Sequence, residues 1–555
     1  MSAAAEAFAE RHRPTLERAM EAARARGYFS AYPEAPSGRI YGETAKADAE
    51  AAFNALLNKP FAEGPHQVGA ERSPWGPALG ITYPALDVAT LIARAEAAAP
   101  AWAAAAPEHR AGLCLEILHR LNRDSFLMAQ AVMHTTGQGW AMAFQAGGPH
   151  AQDRALEAVA YAMEELRRIP GAVRWSKQAG KEQLVLDKTY RAVPRGIGLV
   201  VGCATFPTWN GYPGLFASLV TGNAVIVKPH PAAILPLALT VGTARAVLEE
   251  AGFPADVVQL APDTPEAPIA AELAVHPAIG IVDFTGGAGF GRWLREHVGG
   301  RKALHTEEAG INPVVLHSTG DFAGLCRNLA FSLALYSGQM CTAPQNIFVP
   351  AGGIATDEGH RSFDEIAQAI ATAVDALLAD PARAAGVLGA VQNPATLERI
   401  AAARKLGRVV RDSGGVEMPG FPEARTATPL LLAVEAGNAA AWGEERFGPI
   451  AFLIRCRDAD AALDLAAESA RARGAITALV HATDPAFLAR AEAAFARAGV
   501  ALSENLTGGI FVNQSAAFSD YHVSGANPAG TSCLTDAAFV ANRFHVAMAR
   551  RPAVA

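Results

Sequence analysis

IGIVDFTGGAGFGRWLREHV, residues 279–298, decides the fold. Ile279–Phe284 is a short, largely apolar run of the kind found in strands buried on both faces. It passes directly into Thr285-Gly286-Gly287-Ala288-Gly289-Phe290-Gly291 and then into a helical segment, Arg292–Val298. Glycines between a strand and a helix let backbone amides approach a pyrophosphate at the positive end of the helix. Thr285, Gly286, Gly287 and Gly291 are therefore the dinucleotide candidates of this turn. Gly-rich turns also serve plain packing in α/β proteins, and the turn alone leaves both readings open.

The segments on either side repeat the pattern. Upstream, GIGLVVG (196–202), AVIVK (224–228) and Asp256–Leu260 read as further buried strands. Helical stretches separate them, Leu215–Val220 and Ala233–Ala251, the second stopped by Gly252. Strands alternating with helices predict a doubly wound parallel sheet. Lys228 falls at the C-terminal end of one strand, where open sheets bind ligands, and its ammonium suits ribose hydroxyls or a 2′-phosphate. An exposed strand-end charge is the plain alternative. His230 stands two residues further on.

Downstream, the alternation resumes from Asp321 to about Phe511, which predicts a second α/β domain. Residues 1–90 form an extension, with a helix Ala3–Arg26 expected to break or kink at Pro14. Asp87 is placed to cap the first of several long helices. Leu184–Ala192 has strand character. The tail from Gly508 is expected to begin as strand and end as helix. The divisions are residues 1–90, 91–305, 306–510 and 511–555, with a hairpin near 181–193.

The chain has 555 residues and a formal charge of −7, with no basic cluster, which argues against nucleic acid as a partner. No apolar run approaches the roughly 20 residues that span a bilayer. Residues 1–13 carry Glu6, Glu10, Arg11 and Arg13 and are not a signal peptide, so a cytoplasmic protein is expected. The six cysteines, at 114, 203, 326, 341, 456 and 533, show neither metal-ligand spacing nor a disulfide framework. No metal is expected. His134 and His150 flank a Gly-rich stretch but lack ligand spacing, and a structural role suits them.

One cysteine stands apart. In YSGQMCTAPQ (336–345), small residues surround Cys341 and would let a substrate carbonyl approach. A thiol there can attack an aldehyde to form a thiohemiacetal, which gives up hydride to a nicotinamide. The Gly-rich turn and Cys341 must then meet at a domain interface. TEEAGINP (306–313) lies just upstream. Glu307, in a partly apolar cleft, could activate the thiol or a deacylating water. Two adjacent glutamates taken alone are more often a solvated edge.

Together these segments resemble the NAD(P)-dependent aldehyde dehydrogenase superfamily. Glu307–Pro313 (EEAGINP) is similar to its ELGGKNP box, and Gly338–Ala343 (GQMCTA) to its nucleophile box. The two are separated by 34 residues, counted from Glu307 to Cys341, as is usual in the family. Phe284–Gly291 resembles its FTGS box, Lys228-Pro229 its K-P box, and Glu445–Pro449 (ERFGP) its E-x-F-G-P box. The boxes follow in order over about residues 90–530. The resemblance implies a Rossmann-type cofactor domain, an α/β catalytic domain and a small oligomerisation element that includes Leu184–Ala192. A homodimer or homotetramer is expected. It also implies that Glu445 holds the nicotinamide ribose, that Phe447 packs near the nicotinamide, and that the cofactor is NADP or NAD. Phe518, Tyr521 and His522 fall where related enzymes place the substrate funnel.

A narrower resemblance, over nearly the whole chain, is to the phenylacetic acid degradation (PaaN) branch. It is carried by Met133–His150 (MHTTGQGWAMAFQAGGPH), Ala151–Ala162 (AQDRALEAVAYA) and the extension. It implies an aldehyde substrate in aerobic aromatic catabolism, with a ring-opened coenzyme A semialdehyde as the candidate. A coenzyme A-acylating dehydrogenase and a weakly active cofactor-binding pathway component are the alternatives.

The chain departs from the family pattern at three places. Thr205, in Thr205-Phe206-Pro207, stands where the family has an oxyanion-donating Asn. Losing such a donor costs on the order of 10²–10³ in rate. A slower enzyme is expected, or one whose donor has moved, with Asn210 and the Cys341 N–H as candidates. Pro231 stands where NAD-preferring members carry an acidic residue, so NADP is expected to be tolerated. Ile311 replaces the Lys of the ELGGKNP box, and Gln345 replaces a frequent Arg.

Overall fold

A computed structural model gives the architecture, with residues 3–64, 66–308 and 310–553 described. Ala309, inside the Glu307–Pro313 box, lies outside the described residues. Five parallel strands form the first sheet, in the spatial order Val258–Leu260, Val225–Lys228, Ile197–Val201, Ile279–Gly286 and Ala303–Glu308. Ile197–Val201 comes first in sequence and sits in the middle, with all its residues buried. That double burial is why the run lacks polar alternation. The chain winds outward one way and then the other, and the reversal falls between Ile197–Val201 and Ile279–Gly286. In open sheets the crevice beyond the strand ends at such a point is the ligand site.

The expected division at residue 305 is corrected. Ala303–Glu308 pairs along its length with Ile279–Gly286, ending in Thr285↔Glu307 and Gly286↔Glu308. The first sheet therefore continues through Glu308, and Glu307 hangs from it. The second sheet begins at Pro313. Its order is Arg408–Arg411, Leu430–Glu435, Ile450–Cys456, Asn346–Pro350, Pro313–Leu316, Thr477–His481, Ala501–Glu504. Only the edge strand Arg408–Arg411 runs antiparallel to its neighbour.

A third, antiparallel sheet joins Ala172–Ala179, Glu182–Pro194 and Phe544–Pro552. The strand expected at Leu184–Ala192 is present and longer. The tail differs from expectation at both ends. Residues after Gly508 form irregular loops, a short helix occupies Ala537–Ala541, and the chain then runs as the strand Phe544–Pro552. Its Ala-containing sequence favours helix locally, but Glu182–Pro194 offers a partner over its whole length, from Phe544↔Pro194 to Pro552↔Leu186. Pairing outweighs local propensity.

Arg543 anchors this tail to the first sheet. Its buried guanidinium donates to both oxygens of Asp283, at 2.6 and 2.8 Å, and to Ser218 Oγ at 2.8 Å. It also stacks on Phe539, 4.1 Å from the ring centroid. Removing one partner of a buried pair leaves an uncompensated charge, at a cost of about 3–5 kcal/mol. Arg543→Met is expected to lower the apparent melting temperature by several degrees, and an unchanged melting curve would contradict this anchoring role.

The N-terminal helix Ala3–Ala25 continues through Pro14 without a break. Pro14 is exposed, so water can satisfy the carbonyl that its ring leaves without a donor. The extension is built into the molecule. Glu71 caps helix Leu235–Glu250, accepting from the N–H groups of Ile234 (2.5 Å) and Leu235 (3.1 Å). His134 stacks on Phe53 at 4.8 Å, and His150 meets Glu34 at 2.7 Å, so both histidines serve packing of the extension. Asp87 caps helix Val88–Ala103 through the Thr90 N–H. No helix among the described residues is long and apolar enough to cross a membrane.

Candidate active site

Cys341 sits on a loop that leaves helix Phe322–Ala334 through three consecutive left-handed residues, Tyr336 (φ 50°), Ser337 (φ 49°) and Gly338 (φ 62°). For the two non-glycines this conformation costs about 1–3 kcal/mol each and needs support from its surroundings. The support is visible. Tyr336 Oη donates to the Thr136 carbonyl at 2.5 Å, and Ser337 Oγ lies 3.0 Å from the carbonyls of Leu388 and Ala427. A Cβ at Gly338 would meet the Gly448 carbonyl at 2.6 Å. The Asn312 amide donates to the carbonyls of Cys341 (2.8 Å) and Ala343 (2.9 Å) and accepts from Ile476 N (2.9 Å). Cys341 is thereby fixed with part of its surface open, whereas the other five cysteines are buried.

Glu307 and His522 face that sulfur. The three ligating atoms, Cys341 Sγ, a Glu307 oxygen and a His522 ring nitrogen, lie within 4.8 Å of one another. His522 Nε2 is 2.8 Å from Glu307 Oε1 and 3.7 Å from Cys341 Sγ. Glu307 is fully buried. Burial alone would raise its carboxyl, but the facing imidazole prevails and holds it below the ordinary carboxylate range. Burial, and then the facing carboxylate, push the Cys341 thiol well above its usual value. The resting pair is a carboxylate beside a thiol, with the carboxylate within reach of the sulfur. Glu308 points to the other side of the strand and pairs with Arg295.

Thr205 lies on the loop before helix Pro207–Val220, where its carbonyl accepts from Gln138 Nε2 at 2.8 Å. Asn210 Nδ2 donates to Cys203 Sγ at 3.5 Å, so its amide is engaged with the buried spectator thiol. Cys203, Phe206 and Tyr336, with partly buried Met142, Trp209 and Met340, form an apolar wall beside this loop. Of the three funnel residues expected near 520, only His522 reaches the sulfur. Phe518 is buried against Phe29, and Tyr521 lies outside under the Arg26 guanidinium, 3.9 Å from its ring centroid.

The dinucleotide candidates divide in the structure. Gly287 precedes helix Ala288–His297 with no side-chain cap, and a Cβ at Gly287 or Gly289 would meet nothing within 4 Å. This is an open helix N-terminus that fits a phosphate. Gly286 packs against the Phe284 ring, and Thr285 lines a small cavity with Asn210, Asp283 and His305. Gly291 has a packing role, because a Cβ there would collide with the Glu308 carboxylate.

Lys228 ends its strand as expected, but it is buried and its Nζ lies 2.6 Å from Asp263 Oδ1. Asp263, on the loop after strand Val258–Leu260, places a buried carboxylate beside Lys228. His230 is exposed, and its Nδ1 accepts from the Ala232 N–H in a turn. Glu445 is half-buried in the cleft, and burial pushes its carboxyl up to about 8. The Phe447 carbonyl accepts from Arg399. Gln345 accounts for one departure from the family pattern. Its Oε1 accepts from Arg446 N at 2.6 Å and its Nε2 donates to the Glu444 carbonyl at 3.1 Å, which pins the turn carrying Glu445. Ile311 is buried at 1% exposure, a place that suits an apolar side chain.

Sequence reasoning missed Asp263 and the pinning role of Asn312, and it placed His522 no more closely than a funnel. The Asn of the EEAGINP box was in view. Nothing in the local sequence marks Asp263, which acts through a strand-end neighbour 35 residues away along the chain, counted from 228 to 263.

Comparison with known proteins places this site in context. The sequence profile of the Aldehyde dehydrogenase family matches residues 82–526. The crystal structure of an NAD-dependent aldehyde dehydrogenase from Burkholderia multivorans is 54% identical and superposes with a TM-score of 0.97, covering 99% of each chain. An N-succinylglutamate 5-semialdehyde dehydrogenase of Paraburkholderia xenovorans is 29% identical over 386 residues, 68% of this chain and 74% of its own length. A 1-pyrroline-5-carboxylate dehydrogenase shares the fold at a TM-score of 0.73 and 20% identity, covering 94% of this chain and 99% of its own.

Proposed function

Because the chain belongs to the aldehyde dehydrogenase family of oxidoreductases acting on aldehydes, we propose that Cys341 and Glu307 oxidise an aldehyde to a carboxylic acid with NAD. The convergence of a partly open thiol and a buried carboxylate on one point carries this reading. Glu307 takes the Cys341 proton, and the sulfur attacks the aldehyde carbon. After oxidation of the thiohemiacetal, Glu307 gives up the thiol proton to solvent and, as a carboxylate again, accepts a proton from the water that cleaves the thioester. The Cys341 backbone N–H and the Thr205 hydroxyl are the donors offered to the developing oxyanion.

A bound nicotinamide supplies the hydride acceptor. The residues suited to holding the dinucleotide are Lys228 with Asp263, the open amides at Gly287 and Gly289, and Glu445 with Phe447. Asp263 favours NAD, because a carboxylate beside Lys228 opposes a 2′-phosphate. The wild type should prefer NAD by kcat/KM, and Asp263→Ser should shift the ratio toward NADP by about tenfold, the effect of about 1.4 kcal/mol. Fluorescence titration should show the same shift in dinucleotide affinity. A wild type equally content with NADP would contradict this role.

The substrate reading is a semialdehyde, and the likeness of residues 133–162 supports an aldehyde of aerobic phenylacetate breakdown, such as a ring-opened coenzyme A semialdehyde. The apolar wall of Trp209, Met340 and Met142 suits an apolar segment next to the carbonyl. The semialdehyde named for the P. xenovorans relative supports the same class. Absorbance at 340 nm with a panel of aldehydes, with and without free coenzyme A, tests this. Turnover independent of free coenzyme A, fastest with semialdehydes, is expected. A flat trace with every aldehyde would overturn it, and turnover that requires coenzyme A would point to an acylating enzyme.

The exposed Val173, Leu184, Val546 and Met548 on the three-stranded sheet support assembly into a dimer or tetramer, the sheet edge and these side chains being the contact. Light scattering should give a multiple of the 57.8 kDa chain mass, and a monomer at micromolar concentration would contradict it.

A further inference from the structure

His522 has no part in the scheme above, yet it touches both groups that do. It hangs from an irregular loop whose backbone turns through left-handed conformations at Phe518 (φ 67°) and Val523 (φ 64°). The ring is 1% exposed and stands edge-on to Trp209, with ring centroids 4.7 Å apart. One nitrogen, Nε2, makes both approaches, 2.8 Å to Glu307 Oε1 and 3.7 Å to Cys341 Sγ. Glu307 Oε2 and His522 Nδ1 are buried without a hydrogen-bond partner among the described residues.

Resting on the reading of Cys341 as nucleophile and Glu307 as its base, we infer that His522 is a third catalytic residue. It is an N–H donor that follows the negative charge of the site from Glu307 to the Cys341 sulfur. A carboxylate this deeply buried needs a donor, or it protonates. In the resting site the His522 Nε2–H serves Glu307. When the S–H bond breaks, the proton forms an O–H bond on Glu307 and the electron pair stays on sulfur. The Nε2–H has then lost its anionic acceptor, and the thiolate stands 3.7 Å away. His522 neither gains nor loses a proton. The charge of the site stays constant, so the cost of a thiolate in a water-poor cleft is offset by a donor already in place.

The other charged and titratable groups facing this cluster are few. Cys203 lies on the loop before helix Pro207–Val220. Arg154, on helix Pro149–Arg167, stacks over Trp209 at 4.8 Å from the ring centroid and pairs with Glu157 at 3.2 Å. Cys203 is part of the apolar wall and Arg154 stacks on its Trp209, and among the described residues neither hydrogen-bonds to Glu307 or Cys341. Among the described residues, His522 is the one seen to touch both.

The test is alkylation of Cys341 by iodoacetamide in the full-length chain without dinucleotide. It is followed by mass spectrometry of the Cys341 peptide from about pH 5 to pH 10. His522→Phe keeps a ring against Trp209 but has no N–H, and His522→Gln returns an N–H near the position of Nε2. The Phe variant should alkylate about tenfold or more slowly at pH 7, with its rate rising only at higher pH, because an unserved site keeps both protons. The Gln variant should recover most of that loss, and aldehyde turnover should follow the same order. If the Phe variant proves unfolded by circular dichroism, His522→Met makes the same comparison. Wild-type alkylation with an unmoved pH profile in the variant lacking the donor would overturn the inference, as would a Gln variant as slow as the Phe variant. Failure of the underlying reading is distinguishable, since it appears as undiminished turnover in Glu307→Gln.

Discussion

A Cys341→Ala protein is expected to lose aldehyde oxidation by a factor on the order of 10⁴ or more while binding dinucleotide as the wild type does. The size of the loss follows from the covalent route. Without a nucleophile the aldehyde must hydrate and be oxidised unaided, and only binding and electrostatic contributions remain. No other thiol can take over. Cys203 is nearest in the cleft wall, but it is buried, it accepts from Phe206 N (3.4 Å) and Asn210 Nδ2 (3.5 Å), and burial raises its thiol above the ordinary range. The substitution should leave the fold intact, because Cys341 is partly open and the strained turn at residues 336–338 is held by Thr136, Leu388 and Ala427. Steady-state rates together with dinucleotide titration separate lost chemistry from lost binding. A variant that still turns over at the wild-type rate would refute the assignment.

How much of this was legible before the structure depends on the range over which each feature is determined. The strands Ile197–Val201 and Ile279–Gly286 carry their burial in largely apolar composition, and the turn after the second carries its openness in Gly287 and Gly289. The proposed nucleophile and its proposed base lie in short segments whose residue types suggest their chemistry. The tail strand Phe544–Pro552 was not legible, because its partner Glu182–Pro194 lies some 350 residues away and nothing local overrides its helical preference. Pro14 was read by its usual effect, and exposure of that face of the helix cancels it. Gly291 was read as part of a phosphate cradle, and its lack of a side chain also makes room for Glu308. Asp263 and His522 reach the site only through tertiary neighbours, Lys228 in one case and Glu307 with Cys341 in the other. Residues that act by themselves were readable, and residues that act by meeting another across the fold were not.

Glu307→Gln is the second large effect expected. Glutamine keeps the shape and can still accept from His522, but it carries no charge and takes no proton. The loss of a general base is worth about 10²–10⁴ in kcat. It should fall most heavily on deacylation, so that rapid mixing shows one equivalent of reduced dinucleotide per site followed by a slow steady state. The variant also makes a pH prediction of definite sign. In the wild type the Glu307 carboxylate is one of the causes that raise the Cys341 thiol, because ionising the sulfur would place a second negative charge beside the first. With that charge removed the thiol must fall toward its ordinary value, and alkylation of Cys341 should rise at lower pH in Glu307→Gln than in the wild type. A shift in the opposite direction would mean that proton acceptance by the carboxylate outweighs its repulsion of the thiolate.

The central claim is that the substrate carbon becomes bonded to the Cys341 sulfur, with Glu307 responsible for its release. Intact-protein and peptide mass spectrometry of Glu307→Gln, quenched after mixing with an aldehyde and NAD, measures this directly. The predicted result is an adduct on the Cys341 peptide whose added mass is that of the aldehyde less two hydrogens, as for a thioester. An adduct on a different cysteine, or steady turnover with Cys341 unmodified throughout, would contradict the account.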